Sequence, residues 1–78
     1  MDTKRRTAGE ARQRLANNLK KLRIKQGLSQ EALAERADFH RTYVSQLERM
    51  VTNISLDGIE RLAIALEVDV TVLLARPK

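Results

Sequence analysis

The sequence contains no cysteine, one proline, one histidine and only two aromatic residues, Phe39 and Tyr43. The absence of cysteine excludes a disulfide framework and a thiolate zinc site, and it fits a reducing compartment. His40 has no second metal-ligating residue at a suitable spacing, so we expect no metal site. With so few aromatic residues, a core must come mostly from leucine, isoleucine, valine and alanine.

Long apolar runs are also missing. No segment approaches the roughly 20 residues needed to cross a bilayer, and the N-terminus lacks the apolar core of a signal peptide. We therefore expect a cytoplasmic protein with no membrane partner. A chain of 78 residues, 42% hydrophobic and 32% charged, has the composition of one small folded domain rather than a disordered chain.

The net charge of +5 is unevenly placed along the chain. Residues 1–25 contain nine lysine or arginine residues and two acids, whereas residues 26–78 contain six and eight. A basic segment of this kind is typical of proteins that bind a polyanion. A solvated basic helix face would show the same imbalance, so charge alone does not decide between these two interpretations.

The first part of the chain predicts an arm followed by a helix. Residues 1–8 contain no large aliphatic residue beyond Met1, so we expect a flexible basic N-terminal arm and a folded domain over residues 9–78. From Gly9 to Gln26, apolar residues recur at helical intervals: Ala11, Leu15, Leu19 and Leu22. Gly27 should end this helix in a left-handed conformation.

Residues 28–49, LSQEALAERADFHRTYVSQLER, predict two short helices joined by a tight turn. Ser29 is a good N-cap for the first of them. The apolar positions of the two helices are Leu33, Ala34 and Ala37, then Val44 and Leu47. Phe39 should pack over the turn between them, and His40 should either cap the second helix or contact a phosphate. This is the layout of a DNA-reading helix-turn-helix, whose second helix enters the major groove.

The last third of the chain predicts two more helices. Ser55 should cap a fourth helix whose inner face carries Leu56, Ile59, Leu62, Ala63 and Leu66. Gly58 should soften the first turn of that helix. Asp69 should cap a fifth helix containing Leu73 and Leu74. No segment shows sustained alternation of period two, so the predicted fold is a compact all-α, five-helix domain.

Three stretches together resemble the lambda-repressor-like, Cro-type helix-turn-helix family. They are LKKLRIKQGLSQEALAERA (19–37), RTYVSQLER (41–49) and ISLDGIERLAIALEVDVTVLL (54–74). Within that family, RTYVSQLER and NISLDGIERLA look most like controller proteins of restriction–modification systems. The resemblance implies a homodimeric transcriptional regulator, a repressor or an activator, that binds palindromic sites on double-stranded DNA.

The resemblance also implies roles for individual residues. It puts Gln30 against a phosphate and the side chains of Arg41, Thr42, Ser45 and Gln46 at the major groove. Arg49, Thr52 and Asn53 fall where the family contacts the backbone or nearby bases. Arg23 and Glu48 match a structural pair that joins the first and third helices. The chain departs from the family pattern at two positions. Met50 stands where the family usually has glycine or asparagine, and Glu67 stands where it usually has glycine.

The side chains predicted to face the major groove are of types that can recognise bases. Arg41 can contact guanine O6 and N7 in bidentate fashion, Thr42 offers a methyl to thymine, and Gln46 suits adenine. The alternative for each of these residues is simple solvent exposure, and Arg41 could contact a phosphate instead. Tyr43 either gives its hydroxyl to a phosphate or serves the structure. A carboxylate is unexpected on a surface that faces phosphates, and pairing with Arg23 would explain Glu48. The alternative is an exposed acid that forms only a local contact along its helix.

Homodimerisation is expected through the fourth and fifth helices. Their apolar residues exceed what one inward face requires: Ile64, Val68, Val70 and Val72. Some of these valines could instead complete the core of the monomer. The alternative function is an antitoxin that regulates its own operon, although the short arm leaves little chain for binding a toxin. We expect no enzymatic activity, cofactor or small-molecule ligand, because clustered acids, a cysteine nucleophile and a glycine-rich phosphate loop are all lacking.

Overall fold

The computed structural model describes residues 9–77, and these form five helices and no strand. The helices are α1 (Glu10–Lys25), α2 (Gln30–Ala37), α3 (Arg41–Glu48), α4 (Leu56–Leu66) and α5 (Val70–Leu73). The predicted all-α, five-helix fold is thus confirmed. The expected flexible arm, residues 1–8, lies outside the described residues.

The predicted helix boundaries follow from local capping. The Ser29 hydroxyl accepts a hydrogen bond from the Ala32 amide at 3.0 Å, and the Ser55 hydroxyl accepts one from the Gly58 amide at 3.0 Å. The Asp69 carboxylate accepts from the Thr71 amide at 2.9 Å. Each bond satisfies an amide that a helix start leaves unpaired. His40 occupies the N-cap position of α3 without a capping hydrogen bond from its side chain.

Every helix contributes at least one fully buried leucine to the core. These residues are Leu19, Leu33, Leu47, Leu62, Leu66 and Leu73. Phe39, Leu28 and Val68 are partly buried and pack against this cluster. Burial of apolar surface contributes most to holding the five helices together, because short helices have only marginal stability in isolation.

Two residues predicted for inner faces lie outside the core. Burial on α1 begins at Leu15, so its first turn extends beyond the neighbouring helices and Ala11 stays exposed. Leu56 is 79% exposed, because the inner face of α4 begins only at Gly58 and Ile59. The helical spacing of both residues was correct, but periodicity does not show where a neighbouring element ends.

Gly58 meets a packing requirement at the start of α4. A Cβ at this position would lie 2.6 Å from Cγ1 of Ile54, closer than real atoms approach. Gly58 is also buried, and its amide is bonded to Ser55. The residue therefore lets the loop before α4 pack directly onto the helix, and the softness of the first turn stays a prediction.

Helix connections use the left-handed backbone conformation. Gly27 has φ of 71°, as predicted. Met50 and Glu67 also have positive φ, 62° and 58°, so both connections keep the geometry usual for glycine. A side chain with a Cβ destabilises this conformation by roughly 1–2 kcal/mol. The two departures from the family pattern therefore cost stability without changing the path of the chain.

Helix α3 packs against both α1 and α2, α4 packs against α2, and α5 contacts α1 and α4. This arrangement holds two faces of α3 against the protein and leaves the remaining face outside. Within residues 9–77, no helix is both long and apolar enough to cross a membrane.

Candidate nucleic-acid interface

The outer face of α3 carries the polar residues that the sequence singled out. Val44 and Leu47 are buried against α1 and α2, so the side chains about half a turn away must face outward. The structure leaves Arg41, Thr42 and Arg49 exposed, with Ser45 and Gln46 half-buried. An eight-residue helix with this division presents a row of hydrogen-bonding groups on a rigid support.

A shallow groove separates the starts of α2 and α3. It is lined by Ser29, Gln30, Glu31, Arg41, Thr42 and Ser45. Nη1 of Arg41 lies 3.8 Å from Oε2 of Glu31, and both side chains are mostly exposed. An exposed pair of this kind contributes about 0–1 kcal/mol. The Arg41 guanidinium can therefore leave Glu31 at little cost and turn toward another acceptor.

The end of α3 is joined to α1 through Arg23 and Glu48. The guanidinium donates from Nε to Oε2 at 2.7 Å and from Nη2 to Oε1 at 3.0 Å. Its Nη1 also donates to the Leu28 carbonyl at 2.8 Å. The side chains of Arg23 and Glu48 are only 12% and 4% exposed. The structural pair expected from the resemblance is thus present as a bidentate, largely buried contact.

Gln30 joins the same network. Its Nε2 donates to Oε1 of Glu48 at 3.1 Å. Because a side-chain amide nitrogen carries two hydrogens, the second N–H remains available for another acceptor. The structure therefore places Gln30 at the groove, where the sequence put a phosphate contact, and orients its amide through Glu48.

Tyr43 connects α3 to the loop that follows it. Its hydroxyl donates to the Asn53 carbonyl at 2.8 Å, and its ring centroid lies 5.1 Å from that of Phe39, tilted by 54°. Burial raises the pKa of the Tyr43 hydroxyl, while the nearby Arg61 charge lowers it. Thr52 also donates to the Asn53 carbonyl, at 3.5 Å. A structural contact of Tyr43 is thus visible, and its hydroxyl oxygen keeps acceptor capacity.

Arg61 on α4 was missed by the sequence analysis. Its guanidinium lies 4.0 Å from the centre of the Phe39 ring and donates to the carbonyl at the end of α2. Its acceptors are backbone carbonyls, which leave no signal in the pattern of residue types. The position of Arg61 on an amphipathic helix does not indicate this contact either.

The expected dimer residues divide into two groups. Ile64 is 70% exposed, and Val70 and Val72 are 36% and 40% exposed, so all three offer apolar surface to solvent. Val68 is partly buried and packs against the core, as its alternative interpretation allowed.

The chain is similar to known proteins. The helix-turn-helix family matches residues 19–73. The "Neisseria hypothetical transcription factor" of Neisseria meningitidis serogroup B is 45% identical over 64 residues, which cover 82% of this chain and 60% of that protein. Control protein C.BamHI of Bacillus amyloliquefaciens is 52% identical over 44 residues, or 56% of this chain and 54% of that protein. The chain thus spans less than two thirds of either relative.

Solved structures show the same likeness. The crystal structure of the Neisseria factor superimposes with a TM-score of 0.84 at 44% identity, covering 87% of this chain and 76% of that chain. The restriction–modification controller protein C.Esp1396I, crystallised as a tetramer with its natural 35-base-pair operator, gives a TM-score of 0.75 at 32% identity. That match covers 81% of this chain and 83% of the other.

Proposed function

The chain belongs to the helix-turn-helix family, and from that membership we propose that it is a sequence-specific regulator of transcription that binds double-stranded DNA. The observation that carries this proposal is the outer face of α3. Buried Val44 and Leu47 leave Thr42 and Gln46 on the opposite side of α3 and exposed Arg41 at its first residue, which is an arrangement that can read base edges in a major groove.

More narrowly, we propose a controller protein of a restriction–modification system. The similarity to C.BamHI and to C.Esp1396I supports this assignment. The family is one of binding proteins, so the activity expected is regulation of genes rather than catalysis. An endonuclease gene and a methyltransferase gene beside the gene for this chain would support the assignment, whereas a toxin gene would favour an antitoxin.

The residues of the proposed interface do different work. Arg41 suits a bidentate contact to guanine, Thr42 a thymine methyl, and Gln46 an adenine, while Ser45 is short enough to let the helix approach closely. Gln30 at the groove donates one amide N–H to Glu48, and its proposed role is to donate the second one to a phosphate. The end of α3 and the following loop add Arg49, Thr52 and Asn53, whose role is to contact the DNA backbone or nearby bases.

The proposed regulator acts as a homodimer on palindromic operators. One α3 contacts only a few base pairs, and two of them about one helical turn apart double the site that is read. The exposed apolar side chains of Ile64, Val70 and Val72 support this proposal. Replacing Val72 with aspartate should shift the dimer toward monomer, since a buried charge without a partner is costly. The charge-matched control, Asn17→Asp at an exposed position of α1, should sediment like wild type.

Selection of preferred sites from a random duplex library tests the proposed function. Wild type should enrich one symmetric sequence. Arg41→Ala should cost about 1–3 kcal/mol on that sequence and relax one base position in each half-site. Gln30→Ala should weaken binding by a similar factor on all sequences, because a phosphate contact carries no sequence information. If wild type enriches no sequence, the proposed function is wrong. An unchanged preference for Arg41→Ala would move Arg41 to the DNA backbone.

A further inference from the structure

We propose that Arg61 is a positioning residue that sets the orientation of α3 for base reading, without contacting DNA itself. The inference rests on the proposed function, because the orientation of α3 matters only if this helix reads bases. It assigns a role in recognition to α4, a helix that packs mainly against α2 and α5.

The first observation is the contact between Arg61 and the end of α2. Nε and Nη2 donate to the Ala37 carbonyl at 3.0 and 2.8 Å, and Nη2 also donates to the Asp38 carbonyl. These carbonyls belong to the last residue of α2 and to the residue after it, where helix geometry leaves acceptors unpaired. Asp38 has φ of 58°, a conformation that residues with a Cβ rarely adopt. Arg61 thus binds the turn at the residue that has a positive φ.

The second observation is a series of contacts that leads from Arg61 to α3. The guanidinium lies over the Phe39 ring, 4.0 Å from its centre, in the geometry of a cation–π contact. The Phe39 ring contacts the Tyr43 ring, and the Tyr43 hydroxyl donates to the Asn53 carbonyl. One guanidinium therefore connects the residues that precede α3 with the loop that follows it.

The position of this series explains why recognition should depend on it. The turn ends at His40, directly before Arg41 and Thr42, so a shift of the turn moves both side chains relative to the bases. Base contacts need aligned donors and acceptors, whereas phosphates accept hydrogen bonds over a wider range of positions. Loss of the Arg61 contacts should therefore reduce sequence preference more than non-specific binding.

Lysine cannot replace arginine at this position. An ammonium is a point charge that neither stacks as a plane on Phe39 nor donates in parallel from two nitrogens to one carbonyl. Arg61→Lys keeps the positive charge and a long side chain, so it separates geometry from charge. Arg61→Gln removes the charge as well. Lys21→Gln, an exposed residue of α1, is the control for loss of one positive charge.

The experiment measures the affinity of each variant for the selected duplex and for a scrambled duplex across a range of salt concentrations. Arg61→Lys should weaken binding to the selected duplex roughly tenfold, the scale of one imperfect base contact, with little change on the scrambled duplex. Lys21→Gln should retain the wild-type ratio of the two affinities. Phe39→Leu, which removes the ring but keeps apolar volume, should reduce the ratio as Arg61→Lys does.

Proton NMR supplies a readout that a general loss of stability would not give. The chain has one phenylalanine and one tyrosine, so the ring signals of Phe39 and Tyr43 are identified without labelling. Both should move in folded Arg61→Gln and stay in place in Lys21→Gln. The pKa of Tyr43 should rise in Arg61→Gln, because the nearby positive charge that lowers it is gone.

Two results would overturn the inference. If Arg61→Lys and Phe39→Leu are folded and keep the wild-type ratio of affinities, the turn does not govern recognition. If Arg61 variants instead lose affinity equally on both duplexes and the salt dependence becomes shallower, Arg61 binds a phosphate directly. A wild-type protein without sequence preference would refute the proposed function itself, a result distinct from both.

Discussion

Two arginines stabilise opposite ends of α3, and they do so by different chemistry. Arg23 binds the carboxylate of Glu48, the last residue of α3, and both side chains are largely buried. Arg61 binds backbone carbonyls before the start of α3, and its side chain is 44% exposed. The first contact is an ion pair that solvent barely reaches. The second is partly open to water and depends on the shape of a turn.

The difference has an energetic consequence. The Glu48 carboxylate accepts from two nitrogens of Arg23 and from Gln30, so its charge is well compensated. Removing one partner of such a pair leaves a buried charge, which typically costs 3–5 kcal/mol. Carbonyls released from Arg61 can bind water instead. The Arg23–Glu48 pair should therefore govern whether α3 stays attached, and Arg61 how it is oriented.

The largest effect is expected from Glu48→Ala. Loss of the carboxylate leaves the guanidinium of Arg23 buried without its partner, and the free energy of unfolding should fall by about 3–5 kcal/mol. Urea denaturation followed by circular dichroism measures the change. Glu35→Ala, which removes an exposed acid from α2, is the control and should change stability by roughly 0.5 kcal/mol or less. Equal effects of the two variants would contradict the importance of burial here.

The same two arginines show what the sequence could predict. The pairing of Arg23 with Glu48 follows from the family resemblance, because both partners are side chains at recognisable positions. Arg61 could not be found in this way, since its hydrogen-bond acceptors are carbonyls that every residue carries and the Asp38 carboxylate is 3.9 Å away, beyond hydrogen-bond distance. Capping residues such as Ser29 and Ser55 were predictable because they act within a few residues of the chain. The exposure of Leu56 was not, because it depends on where the neighbouring elements end.

A smaller effect is expected from Arg61→Ala. The variant loses a charged donor to two carbonyls and a contact with the Phe39 ring, at a site that water reaches. Hydrogen bonds to a charged group contribute about 1.5–3 kcal/mol when buried, so exposure should reduce the cost to roughly 1–2 kcal/mol. Thermal denaturation of Arg61→Ala measures this loss of stability, with Arg36→Ala at an exposed position of α2 as the control. A loss as large as that of Glu48→Ala would remove the distinction between the two contacts.

Glycine substitution at the left-handed residues on either side of α3 should increase stability. Met50 follows the end held by Glu48, and Asp38 precedes the start held by Arg61; both have positive φ. Glycine adopts this conformation without strain, and the greater entropy of the unfolded chain offsets part of the gain. Met50→Gly should therefore stabilise by roughly 0.5–1 kcal/mol.

Asp38→Gly should gain less, for two reasons. Aspartate tolerates the left-handed region better than methionine, and the Asp38 carboxylate lies 3.9 Å from the Arg61 guanidinium. Chemical denaturation of both variants gives the comparison, with Lys25→Gly at the end of α1 as a control that should destabilise. A larger gain at Asp38 than at Met50 would mean that the turn beside Arg61 is the more strained end.

The smallest effect is expected at alkaline pH, from Tyr43. Burial is the main cause that raises the pKa of its hydroxyl in the folded protein, and the Arg61 charge opposes it. A folded state with the higher pKa binds the proton more tightly than the unfolded chain does. Its contribution to stability is complete below the unfolded pKa of about 10 and is lost as pH rises from there through the folded pKa.

Tyr43→Phe should lack this part of the alkaline loss of stability, and Arg61→Gln should enlarge it. Tyrosinate absorbance, recorded with the free energy of unfolding at each pH, tests both expectations. Identical alkaline profiles for wild type and Tyr43→Phe would show that ionisation of this hydroxyl is not linked to folding.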